Sequence, residues 1–183
     1  MSSTPRLTTT TTALLVVDIQ ERLLPAMFES DRVLQNSIRL AKGCRLLGVP
    51  AVASEQYRKG LGPTVPALAE ALAGAQPFEK VVFSACSPEL ISGLRSKGIT
   101  NLIVCGIEAH VCVLQTGLDI LQTGFGVFVV ADAISSRTSE NYRLSMDRLR
   151  QAGAMIVSTE MVLFELLGTA DRPEFKEILT LVK

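Results

Sequence analysis

Among the side chains of this 183-residue chain that could do chemistry, Cys112 is the best placed, in the run Val104-Cys105-Gly106-Ile107-Glu108-Ala109-His110-Val111-Cys112-Val113. The pattern predicts a strand, a tight turn and then a cysteine on the first turn of a helix. Helix N-terminal N–H groups and the helix dipole favour an anion, which predicts a lowered pKa and a larger thiolate fraction for Cys112. The same N–H groups could hold the oxyanion formed when a thiolate attacks a carbonyl. A small, packed apolar thiol is the alternative for any free cysteine.

A nucleophilic thiol needs somewhere to send its proton. The only histidine is His110, and on a helix of 3.6 residues per turn it would point about 200° away from Cys112. His110 then reads as a turn or helix-start residue or a substrate contact, and the obvious acceptor is a carboxylate. Asp18 closes the apolar run Ala13-Leu14-Leu15-Val16-Val17, and in open α/β sheets the carboxyl ends of strands carry ligands. It could equally cap the turn that follows. Asp132 closes Val127-Phe128-Val129-Val130 in the same way. An ammonium near Asp18 would hold carboxylate and thiolate together, and Lys80 is placed for it, although a lysine beginning a strand is ordinarily solvated. Gln20, Tyr57, Phe83, Glu108 and His110 are candidate substrate-binding residues. Cys86 is either a second reactive thiol or a packed one.

The elements that must position these groups alternate. Strands are predicted at 13–17, 51–53, 78–84, 99–105, 127–130 and 154–157. Between them lie a helix capped by Ser30 or Asp31 and ending at Gly48, a short one over 66–73, and one opened by Ser87-Pro88-Glu89. A fourth helix follows Cys112 and stops near Gly124, and a fifth is capped by Ser136 or Ser139. Two more helical pieces cover 159–167 and 173 onward. Six alternations predict a parallel sheet covered on both faces. The connection 55–66 is read as a long loop.

Composition narrows the function. Eighteen basic residues balance eighteen acidic ones, with a pI near 6.6, so no electrostatic case exists for nucleic acid or an anionic membrane. A small-molecule substrate fits better. Hydrophobic residues at 48% suit a sheet buried on both faces and a homo-oligomer, with 161–167 as a candidate contact surface. The four cysteines lack CxxC spacing, so neither a metal site nor a disulfide framework is predicted. Residues 1–12 read as a disordered polar tail and 13–183 as one domain. No signal peptide or membrane span is legible, and a reduced, cytoplasmic protein is expected. Without GxGxxG, a Walker loop or GxSxG, there is no case for a nucleotide cofactor or a serine hydrolase.

Taken together, LLVVDIQERL around Asp18, FEKVVFSAC around Lys80, VCGIEAHVCVLQTGLDILQTGF around Cys112, and VVADAISSRT with AGAMIVSTEMVLFELL resemble the isochorismatase-like cysteine hydrolase superfamily. The likeness runs from about residue 13 to 167 and is greatest to the small isochorismatase-domain proteins with a GIEAHxC motif. It implies a three-layer α/β/α Rossmann-like sandwich with a six-stranded parallel sheet. It also implies an Asp-Lys-Cys triad at Asp18, Lys80 and Cys112, with a cis peptide at Ile107-Glu108 that aims N–H groups of the turn and of Cys112 into an oxyanion hole. The nicotinamidase branch binds a metal after its second strand, where this chain reads Ser54-Glu55-Gln56-Tyr57, so no metal is expected. Isochorismatases proper do not use the cysteine, and its retention here points to acyl chemistry. The expectation is a hydrolase of non-peptide C–N bonds working through a thioester, without cofactors. The alternatives are a scaffold protein that keeps the fold and a redox role for Cys112.

Overall fold

Six parallel strands, β1 (Thr12–Val17), β2 (Ala51–Gln56), β3 (Phe78–Lys80), β4 (Asn101–Ile107), β5 (Gly126–Ser135) and β6 (Met155–Val157), form one sheet in the computed structural model, which describes residues 5–183. Their order is β3-β2-β1-β4-β5-β6, every neighbouring pair parallel. β1 and β4 are buried along their whole length. Apolar runs without polar alternation are what a strand covered on both faces requires. The helices are α1 (Ser30–Leu46), α2 (Arg58–Leu61), α3 (Pro66–Ala71), α4 (Pro88–Ser96), α5 (Leu114–Gln122), α6 (Ser139–Gln151), α7 (Thr159–Leu167) and α8 (Phe175–Val182). α1 packs with α3, α7 and α8, while α5 packs with α6, and the expected three layers result.

From β1 the chain winds outward through β2 to β3, then crosses back to place β4 on the other side of β1. The connections after β1 and β4 therefore part in opposite directions. A crevice at the carboxyl ends of such strands is where an open α/β sheet binds ligands. Asp18 follows β1 and Cys112 lies just beyond β4.

Several local expectations change. The third strand ends at Lys80, not at residue 84, and Val81, Val82 and Phe83 stand exposed beyond it. β2 runs on to Gln56, and the supposed loop after it carries α2 and a bridge between Gln20 and Thr64. β5 continues to Ser135 through a register shift opposite Val104 and Gly106. Ser87 caps α4 as expected, accepting from the Leu90 N–H. α6 is capped by Thr138 instead of Ser136 or Ser139, and α1 begins at Ser30 without a side-chain cap. α7 belongs to the core: Val162, Leu163, Leu166 and Leu167 are buried and only Met161 is exposed among its large apolar residues.

The expectation of a disordered tail over 1–12 does not hold for residues 5–12. Residues 1–4 lie outside the described residues, but Leu7 is buried, its N–H donates to Glu165 Oε1, and Thr12 already belongs to β1. The tail's leucine supplies the apolar anchor that its threonines lack. No helix among the described residues is long and apolar enough to cross a membrane.

Candidate active site

Parallel register brings the first two groups together. Val17 lies opposite Ser54, and Gln56 opposite Lys80, so the ends of β1, β2 and β3 stand in a row. Asp18 turns out of β1 with a left-handed φ of 52°, a region that aspartate tolerates better than most residues. Its Oδ2 accepts from Lys80 Nζ at 2.6 Å and its Oδ1 from Ser54 Oγ at 2.7 Å. Both charged side chains are buried, at 0% and 4% exposure. Lys80 is thus not solvated. Its Nζ also donates to Gln56 Oε1 at 2.7 Å and to the Phe83 carbonyl at 2.9 Å. An ammonium has three N–H donors, and three close acceptors take them.

Cys112 arrives from β4. Gly106 has φ +124°, and a Cβ there would overlap the Val17 carbonyl, so glycine lets the end of β4 press against β1. The Ile107-Glu108 peptide is cis. Ala109–Val113 then forms a single wide turn of π type before α5, with the N–H groups of Val111 and Val113 both donating to the Glu108 carbonyl. The cysteine lies in that turn and not on the first turn of an α-helix.

The expected lowering of its pKa is overturned. Burial pushes the Cys112 thiol up to about 12, the Asp18 carboxylate adds to the rise, and the Lys80 ammonium opposes it. Desolvation of the thiolate outweighs the lysine. The side chain rests as a thiol, with both charges near enough to act on it and 5% of the residue exposed. Asp18, Lys80 and Cys112 therefore meet at one rim of the sheet.

The other candidates divide. Gln20 is fully buried and spends its amide on structure: Nε2 donates to the Gln56 and Gly62 carbonyls, and Oε1 accepts from the Gln56 N–H. It latches the end of β2 and is not free to bind a substrate. Glu108 pairs with Arg137 Nε at 2.8 Å, and His110 Nδ1 lies 2.9 Å from Ser136 Oγ. The Tyr57 ring is half-exposed against Gly60, and the Phe83 ring is half-exposed while its carbonyl holds Lys80. Cys86 is half-buried, and burial raises its pKa. It lines a cleft of about 640 Å³ together with Lys80, Val82 and Leu90. Asp132 Oδ1 accepts from Thr159 N–H and Oγ1, which makes it the anchor for the start of α7. Among the described residues, no group of three or more His, Cys, Asp or Glu side chains is placed to hold a metal.

Sequence reasoning passed over Ser54 and Gln56, which complete the polar shell of the Asp18–Lys80 pair. The available signal was positional: they continue an apolar strand at the same sheet edge as Asp18.

Comparison with known proteins agrees with this architecture. The isochorismatase domain model matches residues 12–161. Isochorismatase domain-containing protein 2 of Danio rerio is 42% identical over 97% of this chain and 90% of its own length. The secreted isochorismatase effector Isc1 of Phytophthora sojae is 39% identical over 97% and 87%. Among solved structures, the MAR1 ribonuclease of Caenorhabditis elegans superposes with a TM-score of 0.93 at 41% identity, covering 97% of this chain and 92% of that one. YcaC of Pseudomonas aeruginosa, solved with hexane-2,5-diol and covalent acrylamide, gives 0.88 at 28%, covering 99% and 93%. YcaC of Escherichia coli, described as an octameric hydrolase of unknown specificity, gives 0.86 at 25%, covering 98% and 97%. With the domain model spanning most of the chain and relatives near 40% identity along nearly all of it, the chain belongs to the isochorismatase family.

Proposed function

We propose that this protein hydrolyses an amide or related non-peptide C–N bond of a small molecule, with Cys112 as nucleophile, Asp18 as proton carrier and Lys80 as a fixed positive charge. The buried Lys80–Asp18 ion pair beside the thiol carries this reading. Buried ion pairs are poor sources of stability, so one set against a cysteine in a sheet crevice points to chemistry. The family and its hydrolase members support the class, and the covalent acrylamide on the Pseudomonas relative supports a site that admits a small amide.

Asp18 takes the Cys112 proton as the sulfur attacks the carbonyl carbon. The oxyanion is held by backbone N–H groups of the turn after Ile107, those of Glu108 and Cys112. The C–N bond breaks as the proton passes from Asp18 to the departing nitrogen, leaving a thioester. Water then gives a proton to Asp18 as it attacks. The C–S bond breaks, the acid departs, and the proton returns to sulfur. A thiol that rests protonated suits this sequence, because its proton leaves only when a carbonyl is present. Lys80 steadies the developing thiolate through its positive charge, whose field is strong where water is scarce.

Incubation with a panel of small amides followed by intact-mass measurement tests the reading. An acyl increment is expected on the wild type and none on Cys112→Ala. The same increment on the alanine variant would remove Cys112 from the mechanism, and dependence of function on peroxide without turnover would favour the redox alternative.

The ribonuclease name of the Caenorhabditis neighbour supports a second reading, phosphodiester cleavage. Balanced charge weighs against strong, salt-dependent RNA binding. Cleavage of an RNA oligonucleotide by the wild type, absent in Cys112→Ala, would replace the amide reading. A homo-oligomer is proposed on the octameric neighbour and on the exposed Phe28, Leu144 and Met161, and sedimentation checks it. Four free cysteines support a reducing compartment, although one relative is secreted.

A further inference from the structure

We infer that Gln56 is a positioning residue for the proposed chemistry: its neutral amide oxygen holds the Lys80 ammonium at the point from which its charge acts on Cys112. The inference rests on the reading above. The Lys80 ammonium has four hydrogen-bond acceptors, the Val82 carbonyl at 3.4 Å being the most distant. Lys80 Nζ has Asp18 Oδ2, Gln56 Oε1 and the Phe83 carbonyl as its close acceptors, at 2.6, 2.7 and 2.9 Å. Of these, Asp18 is the group that must change protonation in each half of the reaction, and the carbonyl belongs to an exposed segment. Gln56 is the acceptor whose charge stays constant and whose backbone lies in the sheet, where its own N–H is fixed by Gln20 Oε1 at 2.8 Å.

The amide has a second task. Its Nε2 donates to the Val81 carbonyl at 2.9 Å, so one side chain ties the ammonium to the segment 81–83 that curls around it. When Asp18 becomes protonated, its hold on Lys80 weakens. The ammonium then stays in place through Gln56 and the curled segment, still facing the thiolate. A neutral acceptor is required here. A carboxylate at the same distance would offset the lysine charge: Asp18 from the end of β1 and Lys80 from the end of β3 balance at Cys112, and one more negative charge would leave a net negative field.

The test uses the full chain and iodoacetamide as the probe, with the rate of Cys112 alkylation followed by peptide mass spectrometry from pH 6 to 9. Gln56→Glu keeps the shape, adds a charge at Lys80 and gives up the donor to the Val81 carbonyl, whereas Gln56→Met keeps the length and removes both side-chain hydrogen bonds, so the two share the loss at Val81 and differ in what faces Lys80. The expected order is wild type, then Gln56→Met, then Gln56→Glu. The last should be at least tenfold slower than wild type and match its rate only at about one pH unit higher. Circular dichroism confirms folding. Equal slowing in both variants, or a Gln56→Glu rate equal to wild type, overturns the inference, since a packing role cannot distinguish charge from shape. Should Gln56→Glu not fold, a wild-type rate in Gln56→Met overturns it and a reduced rate with an intact melting temperature supports it. Failure of the wild-type Cys112 to label at all overturns the nucleophile itself and takes this inference with it.

Discussion

Two aspartates close apolar runs of this chain, Asp18 just after β1 and Asp132 within β5, and each lies near a cysteine, yet the two neighbourhoods do different work. Asp18 faces Cys112, and Asp132 bears on Cys105. Both thiols are pushed to about 12, chiefly by burial, and each aspartate raises its neighbour further. The direction of the shift therefore does not mark a reactive site. What separates the two is chiefly the cation. Asp18 has Lys80 at 2.6 Å, and Cys112 keeps a sliver of surface. Asp132 instead receives the N–H and hydroxyl of Thr159, and Cys105 is sealed. A carboxylate holding a helix start is architecture. A carboxylate facing both an ammonium and a thiol can move a proton.

That contrast can be broken most forcefully at the cation. Lys80→Met leaves Asp18 buried without its partner, which costs about 3–5 kcal/mol. A drop of roughly 10 °C or more in melting temperature is expected for a chain of this size, together with slower alkylation of Cys112. Asp18→Asn should split two readouts that a passive thiol would keep together. Acyl-enzyme formation falls by about a hundredfold or more because the general base is gone. Alkylation by iodoacetamide accelerates, because the carboxylate that raised the thiol pKa has been removed.

On the intact protein at pH 8, iodoacetamide should label Cys112 well before Cys105 or Cys44, both 0% exposed, and peptide mapping reads the order. The smallest effect belongs to Asp132→Ala. Loss of the α7 anchor costs about 1 kcal/mol, some 2–4 °C, with Cys112 reactivity unchanged. An altered Cys112 rate in this variant would dissolve the distinction between the two aspartates.

The pH dependence of stability carries its own sign. Cys44, Cys105 and Cys112 have folded pKa values raised from 9.0 to about 12. Folding therefore favours the protonated thiols. Their contribution is complete below pH 9 and is lost as pH climbs from 9 toward 12. Denaturant midpoints should hold level to about pH 9 and then decline, with a shallower decline in Cys44→Ala measured against its own neutral-pH midpoint.

Much of this was legible beforehand because apolar runs and helical spacing are local properties. Ala13–Val17 and the run before Gly106 could hardly be anything but buried strands, and the residues flanking them supplied Asp18 and Cys112. Element ends were less legible. Val81, Val82 and Phe83 favour strands and predict a longer third strand, but Lys80 turns its ammonium inward and the chain curls over it. Gln20 looked like a pocket residue by position, and its amide proved to be consumed in holding β2.

The chain alone determined the alternation of strands and helices, the parallel sheet they build, and which reactive side chains sit at strand ends, since these follow from residue type and spacing. Tertiary structure decided which strand ends become neighbours, and with that the choice of Ser54 and Gln56 as the shell of the ion pair. It also decided the state of the thiol. A helix start, read locally, favours a thiolate, but the cost of desolvating sulfur depends on everything packed around it, and here that cost prevails.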